Sequence, residues 1–115
     1  MTVSERAVGA ITLLDLDGQL TLGASAEGLR DKVRSLLQQG HQQFIVNLAR
    51  VPYMDSSGLG ELVQTYATVT KQGGALKLVH LTTRLRDLLV ITKLATVFDC
   101  YDTEAAALAS FAVPA

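Results

Sequence analysis

Residues 44–60 read Phe-Ile-Val-Asn-Leu-Ala-Arg-Val-Pro-Tyr-Met-Asp-Ser-Ser-Gly-Leu-Gly, and the fold turns on how this stretch divides. Phe44–Leu48 is apolar, rich in strand-forming residues and too short for a core helix. It reads as a strand covered on both faces, with Asn47 available to satisfy local backbone groups. From Leu59 onward the period changes. Leu59, Leu62, Val63, Tyr66 and Val69 repeat at helical spacing until Gly73-Gly74 stops them. Val51 to Gly60 therefore spans the strand-to-helix junction and the start of that helix.

The flanking sequence repeats this alternation. Downstream, Leu76, Leu78 and Leu81 alternate with Lys77 and His80 as a further buried strand, and Thr82 or Thr83 can cap a helix with Leu85, Leu88, Leu89 and Thr92 inside. Val97–Tyr101 reads as a last strand, and Thr103 can cap an Ala-rich final helix whose dipole favours Asp102 and Glu104. Upstream, Thr2–Arg6 and the run Ala10–Leu16 flank Gly9 as a hairpin. Gly18 and Gly23 bracket a loop. Leu29, Val33, Leu36 and Leu37 then share a helical face that Gly40 ends. The order is β-β-α-β-α-β-α-β-α, which predicts an α/β fold in which a mostly parallel, mixed sheet of about five strands carries four helices, with the hairpin strand at its edge. No linker, repeat or low-complexity tract interrupts it, so residues 1–115 are expected to be one domain.

Composition bounds the function. At 115 residues and 49% hydrophobic the chain can bury one core, and a net charge of −1 offers no footprint for a phosphate backbone, so direct nucleic-acid binding is disfavoured. Cys100 is the single cysteine. That rules out an internal disulfide and argues against a multi-cysteine metal site, and the bland reading of Cys100 is a small core residue. No apolar stretch approaches the roughly 20 residues of a membrane span, so membrane insertion is not expected and a cytoplasmic location is.

The chemistry is concentrated in Asp55-Ser56-Ser57-Gly58-Leu59-Gly60. Asp or Ser at a helix start accepts hydrogen bonds from first-turn N–H groups, which accounts for Asp55 or for one serine. Capping does not account for two serines followed by Gly58 and Gly60, because each glycine in the first turns costs about 1 kcal/mol relative to alanine. Small residues here point to close approach by a phosphate or by another protein. The hydroxyls also lie at the carboxyl edge of the sheet, where open α/β folds present their sites.

This chain resembles the anti-sigma-factor antagonists, the stand-alone STAS domains, over nearly its whole length. The element order agrees, Gly18-Gln19-Leu20 stands where that family has a Gly-x-Leu turn, and MDSSGLG matches its central signature. The resemblance implies a protein that occupies an anti-sigma factor of the GHKL serine-kinase type and so frees a sigma factor. It implies that the kinase phosphorylates the second serine of DSSG, here Ser57, and that the modified antagonist then lets go. A serine phosphatase would reset the switch. Asp55, Ser56, Gly58 and Leu59 match positions that border the site and contribute to the partner-facing surface. Thr21 departs from the pattern, since members often carry an aspartate directly after the turn, associated with partner recognition. No cofactor or metal is implied.

Two other classes compete. STAS domains also serve anion transporters, stress-sensing assemblies and lipid-transport complexes as regulatory or scaffold subunits. A serine hydrolase would need a base, and the only histidines are His41, in a turn, and His80, read on a strand; the G-x-S-x-G pattern is absent. The chain is therefore not expected to be an enzyme. Arg84, Arg86 and Asp87 read as the solvated face of the third helix or the rim of an interface, and Arg30, Asp31, Lys32 and Arg34 as the exposed side of the first. Asp15 and Asp17 read as an outward-facing pair on the second strand.

Overall fold

The chain begins with an antiparallel hairpin, Thr2–Val8 (β1) and Ile11–Asp17 (β2), turned at Gly9-Ala10, where Gly9 takes the left-handed φ of +59° that glycine tolerates. A computed structural model describes residues 2–19 and 24–111, with the backbone alone for 24–27. The expected Gly18-Gln19-Leu20 turn is thus described only through Gln19. Leu20, Thr21 and Gly23 lie outside the described residues.

From the hairpin the chain alternates: Ala24–Gln38 (α1), Gln43–Arg50 (β3), Ser56–Lys71 (α2), Ala75–Val79 (β4), Thr83–Ile91 (α3), Asp99–Tyr101 (β5) and Glu104–Phe111 (α4). The five strands form one sheet in sequence order, with β1 antiparallel at the edge and the remaining pairs parallel. The α/β fold and element order expected from the sequence are those observed.

Strand periodicity divides the core. Leu14, Leu16, Phe44, Val46, Leu48, Leu76 and Leu78 face α1, α2 and α3, where Leu29, Val33, Leu36, Leu62, Val69, Leu85 and Leu89 meet them. The alternate residues Leu13, Ile45 and Val79 face the other way, onto Ala107 of α4. Helices on both faces explain why Phe44, Ile45 and Val46 are all fully buried and why β3 reads as an unbroken apolar run. Each such side chain contributes about 1.5–3 kcal/mol by leaving water. Gly74 has a steric reason: a Cβ there would overlap the carbonyl oxygen of Gln42, which accepts the Ala75 N–H at 2.8 Å where β4 starts beside β3.

Three local readings need correction. The last strand is only Asp99–Tyr101, because Val97 and Phe98 donate to the Leu94 carbonyl in a turn, leaving Val97 exposed while Phe98 packs edge-on against Tyr66 with ring centroids 5.1 Å apart. His80 is not on a strand, since β4 ends at Val79 and His80 takes a left-handed φ of +57°. The polar side of α1 is not simply solvated: Lys32 reaches Glu5 of β1 at 2.7 Å, and Arg30 meets Glu61 of α2.

Candidate functional site

At the carboxyl end of β3 the chain tightens. Val51, fully buried, donates its N–H to the Leu48 carbonyl at 3.1 Å. Pro52 and Tyr53 then pass over the surface before Met54 folds back inside. Asp55 follows in an extended conformation and caps α2: its Oδ1 accepts the Gly58 N–H at 2.7 Å, and its carbonyl accepts the Leu59 N–H at 2.9 Å. The capping role read from the sequence thus falls to Asp55, and both serines are free of it.

Ser56 and Ser57 occupy the first two helical positions, where no intrahelical acceptor exists for their N–H groups and the helix dipole is positive. Ser56 is exposed and Ser57 half-buried, whereas Gly58 and Leu59 are buried. Asp55, Ser56, Ser57, Gly58 and Leu59 therefore sit within one turn, but with different duties. Leu59 anchors the turn in the core, Asp55 shapes it, and the two serines are the exposed and the half-exposed members of the first turn. Gly60 is exposed with open space where its Cβ would be, so the chain's own packing does not demand glycine there.

The geometry separates one of the two histidines from the serines. His41 precedes β3 and Ser57 follows it, so the eight residues of the strand put them at opposite edges of the sheet, a span of about 26 Å at roughly 3.3 Å per residue. His80 lies beyond the end of β4, at the same edge as Ser57. The loop's side-chain hydrogen bond nonetheless runs from Gly58 to Asp55, with no histidine in it.

Beside the loop, Tyr53 and Met54 face Thr83, Arg84, Asp87, Leu88 and Ile91 of α3 across an open groove of about 490 Å³. Ile91 is 77% exposed in this region. The sequence reads Arg84, Arg86 and Asp87 as the solvated face of α3 or the rim of an interface; it does not disclose the groove that Arg84 and Asp87 line, because the pairing of the loop with α3 is set by the crossover. Farther along the edge, Arg6 of β1 binds Asp15 at 2.6 Å and also Glu104 of α4, while Asn47 donates to Asp15 at 2.9 Å. The Arg6 hydrogen bonds, with help from Asn47, hold the Asp15 carboxyl below its ordinary range despite partial burial. The two carboxylates in turn hold the Arg6 guanidinium above its usual value. Asp15 and Asp17 thus face out as expected, each beside an arginine, since Arg50 lies 3.5 Å from Asp17.

Among the described residues no group of three or more His, Cys, Asp or Glu side chains is gathered to hold a metal. Cys100 is half-buried and its thiol is pushed up mainly by burial, as a packing residue's would be. No helix among the described residues is long and apolar enough to cross a membrane.

A family model described as the STAS domain matches residues 3–107. The chain belongs to the STAS domain family. Among curated proteins it is similar to the anti-sigma-B factor antagonist of Bacillus subtilis, 48% identical over 75 residues that make up 65% of this chain and 68% of that one. Among solved structures it shares the fold of the Bacillus protein SpoIIAA, known in unphosphorylated and phosphorylated forms, at 22% identity and a TM-score of 0.73 to each. Those superpositions cover 95% of this chain and 96% and 98% of the two structures. The sulfate transporter family protein of Wolinella succinogenes also shares it, at 21% identity and a TM-score of 0.72 over 91% of this chain and 87% of that one. The STAS fold is therefore common to proteins of different employment, and its site has to argue the function.

Proposed function

We propose that this STAS domain is an anti-sigma-factor antagonist: it binds an anti-sigma factor that is also a GHKL-type serine kinase, thereby releases a sigma factor, and is switched off by phosphorylation of Ser57. The observation that carries the reading is the 48% identity to an anti-sigma-B factor antagonist over 75 residues. The local geometry supports it. Asp55 takes over the capping that Ser56 or Ser57 could otherwise supply, and leaves their hydroxyls at the carboxyl edge of the sheet.

In the phosphorylation step the Ser57 oxygen bonds to the γ-phosphorus of ATP held by the kinase. The bond to the departing ADP breaks, and the hydroxyl proton passes to a base on the kinase. The product carries about −1.5 to −2 charges. A helix N-terminus welcomes this by about 0.3–1 kcal/mol, so the fold tolerates it. An interface built for a bare hydroxyl does not tolerate it: a charge clashing or poorly solvated there costs several kcal/mol, the larger effect. Release follows without refolding. The partner surface in this proposal comprises Thr21, Asp55, Ser56 and Ser57, held in shape from beneath by the buried Gly58 and Leu59, and the protein acts by binding rather than catalysis, within the cytoplasm.

The test is to incubate the protein with its candidate kinase and ATP and locate the phosphate by mass spectrometry. Exposure alone would favour Ser56, so the experiment discriminates. Ser57→Ala should remain unphosphorylated yet bind the kinase, and Ser57→Asp should bind poorly while melting near the wild-type temperature. Phosphate on Ser56 or a threonine, or equal kinase affinity for bare and phosphorylated chains, overturns the proposal.

A further inference from the structure

Arg30 of α1 and Glu61 of α2 form an ion pair between the two helices, with Nε and Oε2 3.4 Å apart. Both atoms are shut off from solvent, and neither makes a hydrogen bond among the described residues. The contact has the proximity of an ion pair without the alignment of a hydrogen bond, so a donor on a permanent cation lacks an aligned acceptor. Such an arrangement is a poor resting place for arginine, whose planar fork is suited to bidentate oxygen ligands.

The position of Glu61 makes this consequential. Ser57 and Glu61 are four residues apart in α2, so they are neighbours on one helix face with Cβ atoms roughly 6 Å apart. Helical side chains lean toward the N-terminus, so the Glu61 carboxylate, with the Arg30 guanidinium 3.4 Å from it, is expected on the side of the turn that holds Ser57. A phosphate on Ser57 would enter within reach of that cation. It would also stand next to Glu61 as a like charge at i,i+4, a destabilising pairing.

We propose that Arg30 is the phosphate-binding residue of the Ser57 switch: when Ser57 carries a phosphoryl group, the Arg30 guanidinium leaves Glu61 and binds the phosphate oxygens. The inference rests on the reading of Ser57 as the modified residue and adds what holds the modification in place. The unmodified chain keeps Arg30 neutralised against Glu61. The phosphorylated chain offers tetrahedral, more highly charged oxygens to the same donors, and Glu61 is left without its partner beside a second negative group. The α1–α2 seam therefore changes its charge pattern while the backbone stays put. Arg34, one turn farther along α1, lies by Thr68 and Gln72 and takes no part.

The test installs phosphoserine at position 57 by genetic-code expansion and follows the phosphorus-31 resonance through its second ionisation. The charged groups that chain position and ion pairing bring to that turn are Asp55, which caps α2 two residues earlier, Glu61, one turn on in α2, and Arg30 of α1, paired to Glu61. A cation bound to the phosphate favours the dianion and lowers this pKa, whereas a neighbouring carboxylate raises it. Arg30→Gln should therefore raise the second phosphate pKa by at least about half a pH unit. Glu61→Gln should lower it, Arg30→Lys should restore part of the wild-type value, and Arg34→Gln should leave it unchanged. An Arg30→Gln value equal to wild type, or an Arg34→Gln shift as large as that of Arg30→Gln, overturns the proposal. Because the phosphate is placed without a kinase, this outcome is independent of which residue the kinase selects. That question is decided separately by the mass-spectrometric mapping.

Discussion

Replacing Asp55 separates its two duties, as helix cap and as charge beside the serines. In Asp55→Ala the Gly58 N–H loses an acceptor at 2.7 Å, and Gly58 is buried. Loss of an N-cap side chain costs about 0.5–2 kcal/mol, and a buried donor left unsatisfied pushes toward the upper end, so about 1–2 kcal/mol is expected. For a domain of this length the unfolding entropy is on the order of 0.24 kcal/mol/K, which converts the loss into a fall in Tm of about 4–8 °C. Asp55→Asn keeps an oxygen acceptor in place and surrenders mainly the charge–dipole interaction, about 0.3–1 kcal/mol. The order of stability should be wild type, then Asn, then Ala, with the urea m-value unchanged because the surface exposed on unfolding is the same. Circular dichroism melts together with urea titration measure all three chains. An alanine variant melting within a degree of wild type, or an asparagine variant as unstable as alanine, would refute the assignment of the cap to Asp55.

Other consequences are open to equally direct measurement. Leu62→Ala removes a side chain that is 1% exposed between α2 and the sheet, and should cost about 2–5 kcal/mol by urea unfolding; a shift under about 0.5 kcal/mol would contradict this packing. Gly74→Ala should destabilise by about 1–3 kcal/mol, because the new Cβ meets the backbone of Gln42, which cannot swing away as a side chain could. Asp15 has its folded pKa depressed chiefly by the Arg6 hydrogen bond, so its contribution is present above the ordinary aspartate range and is lost as pH falls through the folded value. Asp15→Asn should therefore lose stability at neutral pH and flatten the acid limb below about pH 4, the usual aspartate value. The effect should be small, since the Arg6–Asp15 pair is partly exposed, and an unaltered acid limb would show the pair to be inert.

Much of the architecture and of the candidate site follows from the order of residues alone. The period changes from continuous apolar at Phe44–Leu48 to helical from Leu59, and strand and helix follow because burial on two faces and burial on one stripe demand different patterns. Asp55-Ser56-Ser57-Gly58 at their junction was legible for the same local reason: a helix start leaves donors that only certain side chains satisfy. What the sequence could not decide was everything that depends on partners distant along the chain. Val97 and Phe98 look like strand residues, but turn hydrogen bonds to Leu94 claim their N–H groups, and the ring of Phe98 goes to Tyr66. Arg30 looks like a solvated helix charge, yet the packing of α1 on α2 sets it against Glu61, thirty-one positions away. Arg6, Asp15, Asn47 and Glu104 are brought together from three strands and a helix only by the sheet register and the return of α4. Local periodicity reports which way a residue faces, but the residue it then meets is chosen by strand order and crossover, and that choice exists only once the chain has folded.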